Sequence, residues 1–481
     1  MRRNILFTFF GSAGASALSL LTVPFYLHLI GAARYGVVAF VWLIVGYFGL
    51  FILGLDKAIT NMLAQHRHDP DAARSLFGTA MILNLVTSCI GGLILYFAGY
   101  QILAQTLGAD NALRGEILAV MPWIAASVPL ATTTSLLIGA FEAYERFPQL
   151  ASTQFSATLV FQVVPILVAW LIGPQLTWVV PAAILSRACM TLWMLVLLWP
   201  VMELQARLVL QRRWVPQLLR YGSSIGISGI VSPILTSLDR VLIGGTLGAA
   251  AVSYYVVPSN LINVVQIVPG SLLRVLFPQL SVLPPAPAKA AAHQATLGLA
   301  AILTPVITCG ILLAHNFMTL WLGPAFAGQA QGIAEILLYG AWMNCLAWVP
   351  VTLLQAQGRP GWVARLHVIE LLPFVAVVWL GVTLGGVHGA AMACALRMWA
   401  DAVLLFRAAG MLRRLAGQLV LPVCLITAAL AVSFGVSANT PRYFLLTALL
   451  GGASLAWSAT KLPAEQKQWL RQGLRRAYRP G

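Results

Sequence analysis

The chain has 481 residues, 60% of them hydrophobic and only 9% charged, with a mean hydropathy of +0.86. Soluble domains carry about 25% charged residues, so this composition excludes a water-soluble fold and implies an all-α polytopic membrane protein. The formal net charge of +16 does not indicate nucleic-acid binding, because the bases lie in short segments between apolar runs and at the C-terminus.

A bilayer core about 30 Å thick takes roughly 20 apolar residues per helix, and about fourteen spans fit the sequence. The first six are predicted at 5–30, 37–55, 77–97, 117–140, 153–172 and 178–199. The first follows Arg2 and Arg3 and passes a small-residue site at Ala15, Ser16 and Ala17. A cleaved signal would end there, but the apolar run continues to Ile30, which predicts an uncleaved helix. The next six spans are predicted at 221–244, 252–275, 295–314, 333–354, 363–384 and 387–406, and the last two at 419–436 and 443–460. The tail, 461–481, places Leu470, Leu474, Ala477 and Tyr478 on one helical face with Arg471, Arg475 and Arg476 between. It reads either as a basic helix on anionic headgroups or as a solvated orientation signal.

The bases test this count. Twenty-three of the 29 Lys and Arg fall in the N-terminus, the tail and alternate loops, against three (Arg34, Arg114, Arg442) in the other loops. Cytoplasmic segments carry the excess, so both termini are expected in the cytoplasm.

A repeat lies within the chain. Gly31, Ala32, Ala33 and Lys57 recur as Gly248, Ala249, Ala250 and Arg274. Gly78, Ala80, Ile82, Leu83 and Cys89 recur, at nearly the same shift, as Gly298, Ala300, Ile302, Leu303 and Cys309. Six spans preserve orientation, so two six-helix bundles related by a parallel pseudo-two-fold are expected, plus two extra C-terminal helices. The expected domains are an N-lobe at 1–200, a basic cytoplasmic linker at 201–220, a C-lobe at 221–408, the extra helices at 409–460 and the tail.

Charges within spans are costly, about 2.5–3.5 kcal/mol each on insertion scales, and should face a bundle interior or a wet cavity. Arg187 has no acid at i±3 or i±4, whereas Arg397, on the counterpart helix, has Asp401 at i+4. Together they suggest a cationic cleft, although Arg397 fits a structural salt bridge as well. Asp239 and Arg240 are neighbours about 100° apart on a helix. Arg240 should snorkel outward, and Asp239 should turn inward, either to pair between helices or to carry a coupling ion. Glu370 sits one turn inside its span near Arg365 and His367. Glu335 is expected at an exposed span end. The six cysteines read as small apolar residues. No phosphate loop, HExxH or CxxC motif occurs, so no ATPase, cofactor or metal site is expected.

"NILFTFFGSAGASALSLLTVPFYLHLIGAARYGVVAF", "YFGLFILGLDKAITNMLAQ", "SLDRVLIGGTLGAAAVSYYVV" and "SLLRVLFPQLS" resemble Wzx-type bacterial polysaccharide flippases, in the superfamily that also holds multidrug (MATE) exporters and lipid II flippases. The resemblance runs to about the twelfth span. It implies a pair of six-helix bundles that opens alternately to each side. The implied cargo is an oligosaccharide on undecaprenyl diphosphate, moved to the outer leaflet for O-antigen or exopolysaccharide synthesis. By position it assigns Arg187, Arg397, Lys57 and Arg274 to substrate binding, for the diphosphate or an acidic sugar. Asp239, Asp401 and Glu370 are then candidates for coupling, to a proton or sodium gradient, or for gating. A polysaccharide polymerase and a chain-length regulator are the implied partners. The reading is of a transporter, not an enzyme. Rival readings are a lipid II flippase, a cation-coupled exporter of the same fold and a membrane glycosyltransferase or polymerase. The last would need carboxylates on outer loops, where only Asp110 and Glu116 stand.

Overall fold

The computed structural model describes residues 2–48, 55–106, 111–202, 210–438 and 440–461. Fourteen helices cover them, with no strand among the described residues: α1 (Arg2–Phe48), α2 (Leu55–His66), α3 (Pro70–Thr106), α4 (Asn111–Ala143), α5 (Phe147–Leu171), α6 (Leu176–Met202) and α7 (Trp214–Leu247). They continue with α8 (Ala249–Val265), α9 (Ile267–Val282), α10 (Pro285–Leu322), α11 (Pro324–Ala356), α12 (Pro360–Ala408), α13 (Leu412–Gly435) and α14 (Pro441–Lys461). Large apolar side chains turn outward along many of them, as Trp170, Leu372 and Leu384 do at 68%, 78% and 80% exposure. A surface of that kind is stable against lipid.

Eleven helices among the described residues are long and apolar enough to cross a membrane. The run 361–408 holds two predicted spans, one on each side of a break at Gly386. The predicted spans at 37–55 and 221–244 include residues or side chains outside the described set. The eighth predicted span is two helices, α8 and α9, separated at Gln266. The tail beyond Lys461 lies outside the described residues.

The sequence repeat reappears in backbone conformation. Gly31 interrupts α1 at φ 78°, ψ 164°, and Gly248 separates α7 from α8 at φ 85°, ψ 178°. Such angles are open to glycine and costly for other residues, which explains the glycine at both matched positions. A second equivalence was not read from the sequence. The α4–α5 turn pivots on Glu145 (φ 56°) and the α11–α12 turn on Gly358 (φ 72°). Both close with a Schellman pair: Arg146 N–H to Phe141 O (3.0 Å) and Glu145 N–H to Glu142 O (3.0 Å), then Arg359 N–H to Leu354 O (2.8 Å) and Gly358 N–H to Gln355 O (3.1 Å). In each, an arginine follows the pivot and a proline stands within the first two residues of the next helix, Pro148 in α5 and Pro360 in α12.

The chain forms two compact units, Met1–Val256 and Val257–Gly481. In the first, α3 packs on α4, α1 on α5, and α6 on both α4 and α5. Its core joins Leu63, Leu76, Phe77 and Phe141 with Trp214 and Leu218 from the start of α7. That start precedes the expected Tyr221 because Trp214 is buried there: its indole N–H donates to Ser75 Oγ (3.0 Å), and its ring meets His66 edge-on. Gln211 N–H donates to Thr79 Oγ1 (3.0 Å) just before it. At the far end of this unit Gly36 touches Ala249 directly, since a Cβ on Gly36 would lie 1.7 Å from the Ala249 carbonyl oxygen. In the second unit α11 is the most enclosed helix, packed between α10 and α12 around Trp342, Leu346 and Phe406. Glu335 is 3% exposed there, not at an open span end. Its helix begins at Pro324, about two and a half turns before the predicted start at Ile333, and His315 of α10 lies close enough to act on it electrostatically.

Candidate functional site

Arg187 stands near the middle of α6 and lines a cavity of about 440 Å³ built wholly within the first unit. α5 supplies Gln154, Thr158 and Gln162, four residues apart and therefore on one face. α1 supplies Ser19, α4 Thr134, and α6 Thr191 one turn beyond the arginine. These neutral groups brace one another. Gln162 Nε2 donates to Ser19 Oγ (3.1 Å), the Thr134 and Thr191 hydroxyls share a 2.8 Å bond, and the Thr191 hydroxyl donates to the Arg187 carbonyl (2.8 Å). Among the described residues no acid lies within ion-pair distance of Arg187, and no hydrogen bond engages its guanidinium. A half-buried cation with idle donors facing polar walls is chemically equipped to receive an anion.

Arg397 is placed differently. α12 folds back at Gly386 (φ 58°, ψ −139°), and its arms abut at Gly381 and Gly389, where a Cβ on Gly389 would come 1.9 Å from the Gly381 oxygen. This sets His367, Glu370 and Phe374 of one arm beside Arg397 and Asp401 of the other. The Arg397 guanidinium lies over the Phe374 ring, 4.8 Å from its centroid. Asp401 Oδ1 faces His367 Nε2 at 3.7 Å. The i, i+4 ion pair of Arg397 with Asp401 allowed by sequence spacing does not form, because the guanidinium crosses to the aromatic ring of the opposite arm. Glu370 and Asp401 are 8% and 6% exposed, and neither Glu370 oxygen has a hydrogen-bond partner among the described residues.

Asp239 is buried at 4% exposure and accepts from the Tyr255 hydroxyl and, at 2.8 Å, from the Arg240 backbone N–H. Its partner is a phenol on α8, not a base. Arg240 does not reach solvent fully: its Nε is buried without a hydrogen bond. Lys57 and Arg274 fall on α2 and α9, with side chains outside the described residues. Within the second unit the structure brings Arg397, Asp401 and Glu370 together; within the first, Arg187 lines the cavity and Asp239 is held by Tyr255.

Two features escaped the sequence reading. The polar lining of the Arg187 cavity is one. The other is a bidentate pair of Arg34 with Glu116 (Nε–Oε2 2.9 Å, Nη2–Oε1 2.6 Å), where Glu116 also accepts from Leu176 N–H (2.8 Å). Glu116 thus joins α1, α4 and α6, and both its oxygens are engaged. A carboxylate so committed is a poor general acid or base, which weighs against the glycosyltransferase reading. Asp110 lies outside the described residues.

Comparison with known proteins agrees with this architecture. A Shigella flexneri protein named "Putative O-antigen transporter" is 24% identical over 405 residues, covering 84% of this chain and 96% of that protein. The solved lipid II flippase MurJ, in an inward closed conformation, superposes with a TM-score of 0.74 at 11% identity, covering 96% of this chain and 98% of that one. The Vibrio cholerae MATE transporter VcmN superposes at 0.62 with 16% identity, covering 86% and 96%. These relatives are transporters and flippases, not enzymes, and they share the all-helical membrane fold. The sequence profile described as "Polysaccharide biosynthesis protein" matches residues 1–283, more than half of the chain and all of the helices around Arg187, and the chain belongs to that family.

Proposed function

We propose that this protein is a flippase that carries an undecaprenyl-diphosphate-linked oligosaccharide from the cytoplasmic to the periplasmic leaflet by alternating access, for O-antigen or exopolysaccharide synthesis. The observation that carries the reading is the unpaired Arg187 in a polar cavity inside an apolar bundle. A charged sugar head cannot cross hydrocarbon unaided, and a hydrated basic cavity lowers that barrier while the polyprenyl tail stays in lipid. Family membership and the O-antigen transporter relative support a lipid-linked saccharide as cargo.

The lobes are taken as residues 1–200 and 221–408, joined by 201–220, with 409–460 as two appended helices. Arg397, Lys57 and Arg274 assist Arg187 in holding the head group. Asp239, Asp401 and Glu370 serve coupling, to a proton or sodium gradient, or gating; the burial of Glu370 beside Asp401 supports this. The Lys and Arg bias supports an inner-membrane protein with both termini cytoplasmic. A polymerase and a chain-length regulator act downstream on the delivered cargo.

The test is polysaccharide export in cells lacking the native gene. Arg187→Ala and Arg397→Ala abolish export, and the Lys variants retain part of it. Full export by both Ala variants at normal membrane abundance refutes the assignment.

A further inference from the structure

A groove of about 500 Å³ runs between α1 and α5 of the first unit, lined by Phe25, His28 and Leu29 on one side and Ile166, Leu167 and Trp170 on the other. Phe25, Leu167 and Trp170 are exposed, so it lies open to the surrounding lipid. It shares a seam with the Arg187 cavity. On α5 one i, i+4 ridge reads Gln154, Thr158, Gln162, Ile166, Trp170; its first three members line the cavity and its last two the groove. α1 changes in the same direction, from Ser19 in the cavity to Phe25 and Leu29 in the groove. Gln162 marks the changeover. Its amide donates to Ser19 Oγ (3.1 Å) and its backbone carbonyl accepts from the Tyr26 hydroxyl (3.2 Å), while Ile166 stands one turn, about 6 Å, further along.

A trough with a cation and hydroxyls at one end and apolar walls at the other fits an amphiphile. An ordinary phospholipid keeps its charged head at the bilayer surface, whereas Arg187 stands near the middle of α6, where a lipid head enters only if the protein takes it in. A carrier lipid whose head occupies the cavity must let its chain out, and the groove begins one turn from the cavity. Lipid tails are as apolar as the groove, so the groove gains nothing from the hydrophobic effect. Its selectivity comes from close packing against a methyl-branched chain and from the tether: a bound head holds the chain beside the groove at high effective concentration.

We infer that the α1–α5 groove binds the head-proximal isoprene units of the polyprenyl carrier while the Arg187 cavity holds the head joined to them. The inference rests on the flippase reading and adds a lipid-chain site to it; the rest of the chain lies in the bilayer.

The experiment places the photo-crosslinker p-benzoylphenylalanine at Trp170, or at Leu167 where the first variant does not fold, in the full-length protein. The protein is reconstituted into phosphatidylethanolamine–phosphatidylglycerol vesicles containing undecaprenyl phosphate, whose phosphate stands for the carrier head. Mass spectrometry after irradiation gives the ratio of polyprenyl to phospholipid adducts. The same crosslinker at Leu372, an exposed position on α12, reports the bulk bilayer. The ratio in the groove should exceed that at Leu372 by about fivefold or more, equivalent to about 1 kcal/mol of preference. Leu29→Trp, which fills the groove, and Arg187→Gln, which releases the head, should each bring it back to the bulk value; either serves where the other does not fold. Equal ratios in the groove and at Leu372 overturn the inference, as does a groove ratio that neither variant lowers or an absence of polyprenyl adducts there. Export is scored separately in cells lacking the native gene. Normal export without polyprenyl enrichment refutes only this inference, whereas enrichment in a protein whose deletion leaves export intact refutes the flippase reading.

Discussion

Replacing Glu116 with alanine tests whether one carboxylate ties three helices together. Its oxygens receive the Arg34 fork at 2.9 and 2.6 Å and the Leu176 N–H at 2.8 Å. Exposed ion pairs contribute about 0.2–1 kcal/mol, and breaking a buried pair costs about 3–5 kcal/mol. Arg34 is 31% exposed and Glu116 13%, so the freed guanidinium rehydrates in part and the pair sits near 1 kcal/mol. Leu176 N–H is one of the four donors that a helix start leaves without an intrahelical acceptor, and its bond to a charged acceptor adds about 1.5 kcal/mol. Glu116→Ala should therefore lower unfolding stability by about 2–3 kcal/mol, and Arg34→Ala by about 1 kcal/mol. The assay is reversible unfolding in mixed micelles followed by tryptophan fluorescence, on both single variants and the double. The cycle should show coupling near 1 kcal/mol. A Glu116→Ala loss below about 0.5 kcal/mol, or strict additivity of the two changes, refutes the three-helix tie.

Gly36→Ala drives a methyl group into the Ala249 carbonyl, a backbone atom that no rotamer change can move aside, and should cost about 3 kcal/mol in the same unfolding assay; an unchanged midpoint contradicts that contact. Glu145→Gly relieves a left-handed residue worth about 1–2 kcal/mol and returns about 0.5–1 kcal/mol in chain entropy, so it should stabilise by roughly 0.5–1 kcal/mol. Its exposed pair with Arg67 adds little to the balance, and a destabilised variant refutes the strain. Tyr255→Phe removes the phenolic donor from buried Asp239 and should cost about 1.5–3 kcal/mol; Asp239→Asn alongside Tyr255→Phe should recover part of that loss if the carboxylate is the cause.

Much of the helix plan was legible because a membrane helix must be apolar along its whole length, and hydropathy reads that directly. Gly31 and Gly248 were legible as a repeat, and the backbone shows why both are glycine. The Glu145–Gly358 equivalence was hidden because one copy carries a carboxylate where glycine is expected. Arg187 was found as a lone base in an apolar run, but its surroundings were not. The signal existed: Gln154, Thr158 and Gln162 form a polar stripe at four-residue spacing along an otherwise apolar α5. Arg397 shows the opposite limit. Its spacing from Asp401 allowed an ion pair, and only the fold of α12 reveals Phe374 from the other arm. Arg34 and Glu116 are 82 residues apart, and no local pattern links them.

The break at Gly386 has a consequence for insertion. α12 holds 49 residues, and unbroken it would extend about 70 Å, more than twice the hydrocarbon thickness of about 30 Å. Folded back, it crosses twice and delivers α13 to the side from which α12 set out. A chain that passed straight through would emerge with α13 and α14 on the opposite side of the bilayer. One residue's ability to adopt a positive φ thus decides the threading of α13 and α14, by changing an odd number of crossings into an even one.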